Sequence, residues 1–274
     1  MPAGALALAL GAAVLHATWN LLLARADDTE AATAVALAGS VALFAVPAAL
    51  TWRVDAGAWP YVAASTAFEL GYVVTLAGAL RRGDLSVVYP LARGSAPVLV
   101  LAVSAGVLGA ATSGWQVAGI AFVAAGVLLV RGVRRPDDPA AIPLALACGA
   151  CIAGYTVVDS HGLDHAAALP YLWVVMALSA LGYVPLVART RGTAALRAAV
   201  RPETAVTAAL FFAAYLLVLA ALRLAEPGPV AAVRETSVVI AAALGALVLR
   251  ERVTPARASG AVVVVLGAAL IALS

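Results

Sequence analysis

The chain has 274 residues, of which 64% are hydrophobic and only 11% are charged, with 17 basic and 14 acidic side chains. A soluble domain is typically ~45–50% apolar and ~25% charged, so this composition excludes an ordinary soluble protein, a disordered chain and a fibrous one. It indicates a protein that lies mostly in lipid. The two cysteines are too few for a disulfide framework, and no nucleic-acid-binding motif is present.

Ten apolar stretches are long enough to cross a bilayer, which requires about 20 residues in a helix. The first has no basic residues before it and is too long for a signal peptide, so we expect it to be retained as a span. Backbone polar groups in lipid must be satisfied internally, so all ten are predicted to be helices. In chain order they lie at about 4–24, 31–50, 58–80, 86–107, 114–131, 140–160, 168–188, 204–222, 228–249 and 255–273.

The arginines are distributed unevenly between the two sides of the predicted bundle. The connections after the odd-numbered spans hold 13 of the 17 arginines, and the opposite side holds two. Because arginine-rich connections stay in the cytoplasm, we predict that the odd-numbered connections are cytoplasmic and that both termini lie outside. The predicted location is the inner (plasma) membrane.

The two halves of the chain resemble each other. Residues 6–12 (LALALGA) return as residues 144–150 (LALACGA), an offset of 138, and further matches follow at 138 or 141. Chance identity in a chain rich in alanine and leucine is the alternative explanation. Five spans in each half would place the halves in opposite orientations, as in secondary transporters with a midplane substrate site. The predicted repeats are residues 1–135 and 136–274. The further matches pair Thr18 with Thr156, Pro47 with Pro185, Arg93 with Arg234, Ser95 with Thr236, Gly119 with Gly260 and Gly126 with Gly267.

A specific resemblance rests on residues 249–254 (LRERVT), followed by Gly260 and Gly267 in the last span, and on Trp19 in the first. Together with the ten predicted spans, these features resemble the EamA family of the drug/metabolite transporter superfamily. The first half departs from the pattern, with alanine in place of the motif's glutamate. Family members are also usually drawn with both termini inside, contrary to the arginine count. The resemblance implies a secondary transporter, often a metabolite exporter, and not an enzyme.

Two arginines lie inside predicted spans, where a charge is costly and marks a candidate functional site. The spans that carry Arg93 and Arg234 enter the membrane from opposite faces. We therefore expect the two arginines on either side of the midplane and not beside each other. The planar guanidinium matches a carboxylate or phosphate, so one or both are predicted to bind an anionic group of the substrate. The alternative is an ion pair within the bundle, for instance between Arg93 and Glu69. The adjacent Glu235 is also a candidate for the substrate site, and Arg234 and Glu235 are expected to have different partners.

Glu69 lies near the middle of the third predicted span. Burial favours the neutral form of a carboxyl group, which makes Glu69 a candidate for coupling transport to protons. A structural ion pair is the alternative role. Asp159, near the end of the sixth span, is expected to lie at the membrane interface.

Polar and aromatic side chains are candidates for the walls of a binding cavity. His16 lies three and four residues from Trp19 and Asn20, so it shares a helix face with both. A hydrogen bond from His16 to a neighbouring helix is the alternative. The tyrosines predicted as candidates are Tyr72, Tyr89, Tyr155 and Tyr215, for each of which simple packing is the alternative.

Other motifs point away from enzymes and cofactors. Cys148 and Cys151 form a C-x-x-C pattern inside an apolar span, where we predict packing. His161, Asp164 and His165 are predicted to form a solvated loop. Neither a Walker A run nor an H-E-x-x-H motif is present, and no cofactor or metal is predicted.

The predicted function is therefore a secondary transporter, acting as an exporter of a small zwitterionic or anionic metabolite such as an amino acid. It would work by alternating access at a central cavity between the repeats. The alternative is a proton-coupled antiporter of organic cations or drugs that uses Glu69. The predicted partners are the substrate, the lipid bilayer and protons.

Overall fold

The computed structural model describes residues 1–82, 85–107, 109, 111–131, 138–248 and 254–273. Within these ranges the regular structure is helical, and extended pairing is limited to an isolated bridge between Val54 and Ala166. The prediction of an all-α protein is confirmed.

The first half contains five long helices. Their order follows the first five predicted spans, with shifts of one or two residues at most ends. They are α1 (Ala3–Leu23), α2 (Thr29–Leu50), α3 (Trp59–Leu80, after a 3₁₀ turn at Ala56–Ala58), α4 (Leu85–Gly106) and α5 (Gly114–Arg131).

The second half contains long helices and shorter pieces. The predicted seventh span continues into a short extra helix, and the predicted ninth span is divided in two. The elements are α6 (Ala141–Gly162), α7 (Ala168–Arg191), α8 (Thr193–Ala198), α9 (Pro202–Leu222), α10 (Pro227–Arg234), α11 (Ser237–Val248) and α12 (Pro255–Ala272).

Several helix boundaries follow local capping signals. The Asp28 carboxylate accepts the backbone N–H of Ala31 at 3.0 Å at the start of α2. Before α5, the side chains of Ser113 and Gln116 accept each other's backbone N–H at 3.1 and 3.2 Å. Proline is the first residue of α9, α10 and α12, where its missing N–H costs nothing. Gly192 separates α7 from α8 with a left-handed φ of 84°.

The predicted continuous helix over residues 228–249 is wrong, because the chain breaks it after Arg234. Glu235 and Thr236 continue through tighter bonds, from their N–H groups to carbonyls three residues earlier, both at 3.0 Å. The Thr236 hydroxyl also donates to the carbonyl of Val233 at 2.7 Å. A threonine bonded back to its own backbone competes with the regular pattern and bends a helix. The break brings Arg234 and Glu235 to a junction between two helices.

Six helices of the described chain are long and apolar enough to cross a membrane. They account for six of the ten predicted spans, and the protein is a multi-pass membrane protein. The fourth, fifth and tenth predicted spans contain shorter apolar stretches, Leu91–Gly106, Gly114–Val130 and Ala258–Ala272. The six long candidates are Ala3–Leu23, Thr29–Leu50, Ala56–Leu80, Ala141–Gly162, Ala168–Arg191 and Pro202–Leu222.

Helices α5 and α12 approach each other very closely along paired glycines. A Cβ atom added to Gly126 would lie 2.8 Å from the carbonyl oxygen of Gly260, and one added to Gly267 would lie 2.6 Å from that of Gly119. No side chain fits at either crossing point without displacing the partner backbone. Small residues allow this close packing of membrane helices.

The two ends of the helical bundle carry different side chains. At the end where α1 finishes, arginines form exposed ion pairs: Arg191 donates to both oxygens of Glu30 at 3.0 and 2.8 Å, and Arg201 donates to Asp27 at 3.0 Å. At the end where α1 begins, the exposed large side chains include three tryptophans, Trp52, Trp59 and Trp115.

Candidate functional site

A buried ion pair joins the two halves of the chain. Arg93 on α4 donates from Nε to Oε2 of Glu235, after α10, at 3.1 Å, and these side chains are 5% and 3% exposed. The sequence suggested Glu69 as a partner for Arg93, and that suggestion is wrong. The helix break after α10 carries Glu235 into this pairing.

Arg234 has a different environment from its neighbour, as the sequence predicted. Its guanidinium carbon lies 5.5 Å from the ring centroid of Tyr215, a cation–π distance, and the residue is 8% exposed. Within the described ranges no carboxylate lies within ion-pair distance of Arg234. At the offset of 141 that the sequence suggests, the position matching Glu235 is Gly94, which carries no acid.

The two arginines belong to one centre, which corrects the expectation that they lie apart. Arg93 contacts the residue next to Arg234 in the chain. His16 and Tyr155 each interact electrostatically with both guanidinium groups. Helices α1, α4, α6 and α10 thus contribute to a single charged cluster.

Asp159 is completely buried, so its predicted position at the membrane interface is wrong. The Tyr171 hydroxyl donates to its Oδ1 at 2.8 Å, and the Tyr215 hydroxyl donates to its Oδ2. Asp159 is therefore a buried acid of the centre, although it lies near the end of its helix. The signal was present, because Asp159 lies four residues after Tyr155 and shares its helix face.

Glu69 lies on α3 beside this cluster and is partly exposed. It interacts electrostatically with Asp159 and with Arg234. Its carboxylate forms no hydrogen bond or ion pair with the described residues, so it is open to a ligand. Tyr72, one turn further along α3, is half-buried against the hydrophobic core.

The predicted polar face of α1 is only partly directed at the cluster. The Asn20 amide donates to the carbonyl of His16 at 2.7 Å and is used within its own helix. The rings of His16 and Trp19 meet edge to face at 4.8 Å, and Trp19 meets Phe211 in the same way at 5.3 Å. His16 Nε2 and Trp19 Nε1 are buried without a partner in the described part of the protein. Unsatisfied buried groups of this kind are costly unless a ligand or water satisfies them.

Aromatic rings form a wall around the charges. Tyr155 and Tyr215 meet edge to face with ring centroids 5.8 Å apart, and both are more than 90% buried. Phe211 and Tyr171 also belong to this wall, although neither is among the site residues predicted from the sequence. Nothing in the local sequence distinguishes either residue from packing, because their roles depend on contacts between helices.

His161, Asp164 and His165 lie away from this centre. His161 and His165 stack on Tyr61 at 6.4 and 5.6 Å, near the end where α1 begins, beside a cavity of about 700 Å³ that Asp164 helps to line. No cluster of metal-binding side chains occurs among the described residues. Cys148 and Cys151 are free thiols on α6. The side chain of Tyr89 and residues 249–253 of the LRERVT run lie outside what is described.

Long apolar helices that surround buried charges are typical of membrane transporters. The model of the EamA-like transporter family, which belongs to the drug/metabolite transporter superfamily, matches residues 139–273 of this chain. A crystal structure of a protein with 19% sequence identity has the same fold, with a TM-score of 0.79 over 100% of this chain and 98% of that chain. No curated protein matches the sequence.

Proposed function

We propose that the protein is a secondary transporter that exports a small zwitterionic or anionic metabolite, such as an amino acid. The single observation that carries this proposal is the inequality of the two central arginines. Glu235 neutralises Arg93, whereas Arg234 lies over Tyr215 without a carboxylate from the described chain. A substrate carboxylate would supply the missing ion-pair partner of Arg234, because the planar guanidinium group can donate two parallel hydrogen bonds to a carboxylate.

Helix packing supports an arrangement of two inverted five-helix repeats. In such an arrangement α1 corresponds to α6, α3 to α9, and α4 to the broken pair α10–α11. Helix α3 packs on α6, and its counterpart α9 packs on α1. Helix α4 also packs on α6, and its counterpart α10–α11 packs on α1. Helices α2 and α5 pack on their own counterparts, α7 and α12. This exchange pattern is expected of halves related by a twofold axis. It favours repeats over residues 1–135 and 136–274, ten spans, and alternating access at the site between them.

The acids near Arg234 favour a substrate that also carries a positive group. Glu69 is partly exposed and lies within electrostatic reach of Arg234. A zwitterion would place its carboxylate on Arg234 and its ammonium group near Glu69. His16 Nε2 and the Trp19 indole N–H remain for other polar atoms of the substrate. We include Asn20, Tyr72, Tyr155 and Tyr215 among the residues that line this site.

Ligand-induced stabilisation of the purified protein tests the proposal. Amino acids, simple carboxylates and organic cations would be compared by thermal unfolding, since a ligand at 100 times its Kd stabilises a protein by about 2.7 kcal/mol. Amino acids should stabilise the wild type but not Arg234→Gln. The matched control is the Arg93→Gln/Glu235→Gln double variant, which removes a neutralised pair and should keep most of the binding. Full stabilisation of Arg234→Gln by amino acids would refute the assignment.

A second candidate is a proton-coupled antiporter of organic cations or drugs. It is favoured by the excess of acids in the cluster, where Glu69, Asp159 and Glu235 surround two arginines. Stabilisation by organic cations that is lost in Glu69→Gln would support this candidate and leave the arginines with structural roles.

We also propose that the protein lies in the inner (plasma) membrane with its odd-numbered connections in the cytoplasm. The arginine-rich end of the bundle supports this orientation. Both termini would then lie outside.

A further inference from the structure

We propose that Asp159 is a proton-binding site, and that Tyr215 transmits its protonation to the substrate-binding Arg234. The inference rests on the proposed function, in which Arg234 binds the substrate carboxylate. It assigns the coupling proton to a residue different from Glu69, the candidate that the sequence favours.

The hydrogen bonds of Asp159 suit a carboxylate whose charge state can change. The side chain is fully buried, and each of its oxygens accepts one phenolic hydrogen, from Tyr171 and from Tyr215. No arginine or histidine of the described chain forms an ion pair with it. Its hydrogen-bond donors in the described chain are hydroxyl groups, so protonation breaks no salt bridge.

Protonation must alter one of these two hydrogen bonds. A charged carboxylate is an acceptor only, whereas a protonated one donates from one oxygen. A neutral carboxyl group is also a weaker acceptor than a carboxylate. The tyrosine on the protonated oxygen therefore either donates more weakly or turns to accept the new hydrogen.

Of the two tyrosines, Tyr215 is the one that connects Asp159 to Arg234. The Tyr171 ring is 0% exposed and lies so close to Gly162 that an added Cβ there would be 2.6 Å from a ring carbon. Tyr215 is 8% exposed, and its ring lies between Tyr155 and the guanidinium of Arg234. A shift of Tyr215 therefore changes the surface on which Arg234 rests.

This connection implies exchange of one proton for one substrate. With Asp159 charged, Tyr215 donates to it and supports Arg234, and the contacts of Tyr215 in the structure fit this arrangement. A carboxylate bound to Arg234 would favour that arrangement and release the proton of Asp159 to the side open to water. Uptake of a proton would weaken the support of Arg234 and favour release of the substrate.

Other charged or titratable groups surround Asp159 and are rivals for the coupling role. Glu69 faces it from α3, and Arg234 faces it from α10. Tyr171 and Tyr215 approach from α7 and α9. Among these, Glu69 is the other carboxyl group that lacks an arginine partner, so Glu69→Gln is the necessary comparison.

Infrared difference spectra of the purified protein between acidic and neutral pH test the proton site without any ligand. The wild type should show the band of a protonated carboxyl group together with a tyrosine change. Asp159→Asn should lose both, while Tyr215→Phe should keep the carboxyl band and lose much of the tyrosine change. Glu69→Gln and the exposed control Asp164→Asn should keep both. An Asp159→Asn spectrum equal to the wild type, or loss of both signals in Glu69→Gln, would overturn the proposal.

Proton release tests the connection to the substrate. A mixture of L-amino acids, added to weakly buffered wild-type protein, should bind and release a proton that a pH indicator detects. Tyr215→Phe should bind the mixture with reduced release, and equal release would overturn the role of Tyr215. If the mixture does not stabilise the wild type, the proposed substrate class fails, while the infrared spectra still decide the role of Asp159.

Discussion

Neutralising one partner of the Arg93–Glu235 pair should be the most damaging single change in the centre of the protein. The two groups lie 3.1 Å apart with side chains 5% and 3% exposed, so little water compensates for a lost partner. At an effective dielectric constant of about 20, unit charges at this distance attract by roughly 5 kcal/mol. Removing one member of a buried pair typically costs ~3–5 kcal/mol, because the other charge remains buried. We therefore expect Glu235→Gln to destabilise the protein by about that amount.

A double-mutant cycle in detergent measures this coupling. The free energy of unfolding would be determined for the wild type, Arg93→Gln, Glu235→Gln and the double variant. The double variant should cost much less than the sum of the single changes, because it leaves no unpaired charge behind. Additive effects of the two changes would refute the reasoning. The exposed pair between Arg191 and Glu30 is the control, since surface pairs contribute only ~0–1 kcal/mol.

Further predictions concern packing, salt and orientation. Gly126→Ala should destabilise the protein by ~1–3 kcal/mol, because the added carbon clashes with α12. Gly106→Ala is the control and should not destabilise the protein, because no atom lies within 4 Å of its added carbon. Thermal unfolding of the two variants compares these effects. Arg191→Gln should change stability by less than ~1 kcal/mol, with a difference that shrinks as salt is added. A single cysteine at Arg197 should be labelled only from the cytoplasm and one at Glu226 only from outside, in a background where Cys148 and Cys151 are replaced; the opposite labelling would reverse the predicted orientation.

Hydropathy predicts the helices well because the membrane imposes a minimum length of apolar sequence. The first predicted span, 4–24, corresponds to α1 at Ala3–Leu23. The break after α10 could not be predicted in this way, because residues 233–238 contain neither proline nor glycine. It depends on a threonine hydroxyl and on the contact that draws Glu235 towards Arg93.

The sequence was enough to predict which charged residues form the site, but not which residues they contact. Intramembrane charge alone selected Arg93, Glu69 and Arg234, because charge in lipid is costly wherever it points. The partner of Arg93 lies 142 residues away, so only the packing of α4 against the second half identifies it. Asp159 was assigned to the interface by its position near a span end, which ignores the tyrosines that α7 and α9 bring to it.

The difference between Gly94 and Glu235 also affects the resting state of the transporter. In a chain of two identical inverted halves, the states open to opposite faces would have equal energy and would be equally populated. In the proposed repeat, one half carries an acid, Glu235, where the other carries a glycine, Gly94. The Arg93–Glu235 pair has no counterpart of the same chemistry at the matching position, so it contributes differently to the two states. The unloaded protein should therefore favour one face, and that bias sets which side of the membrane presents the empty site.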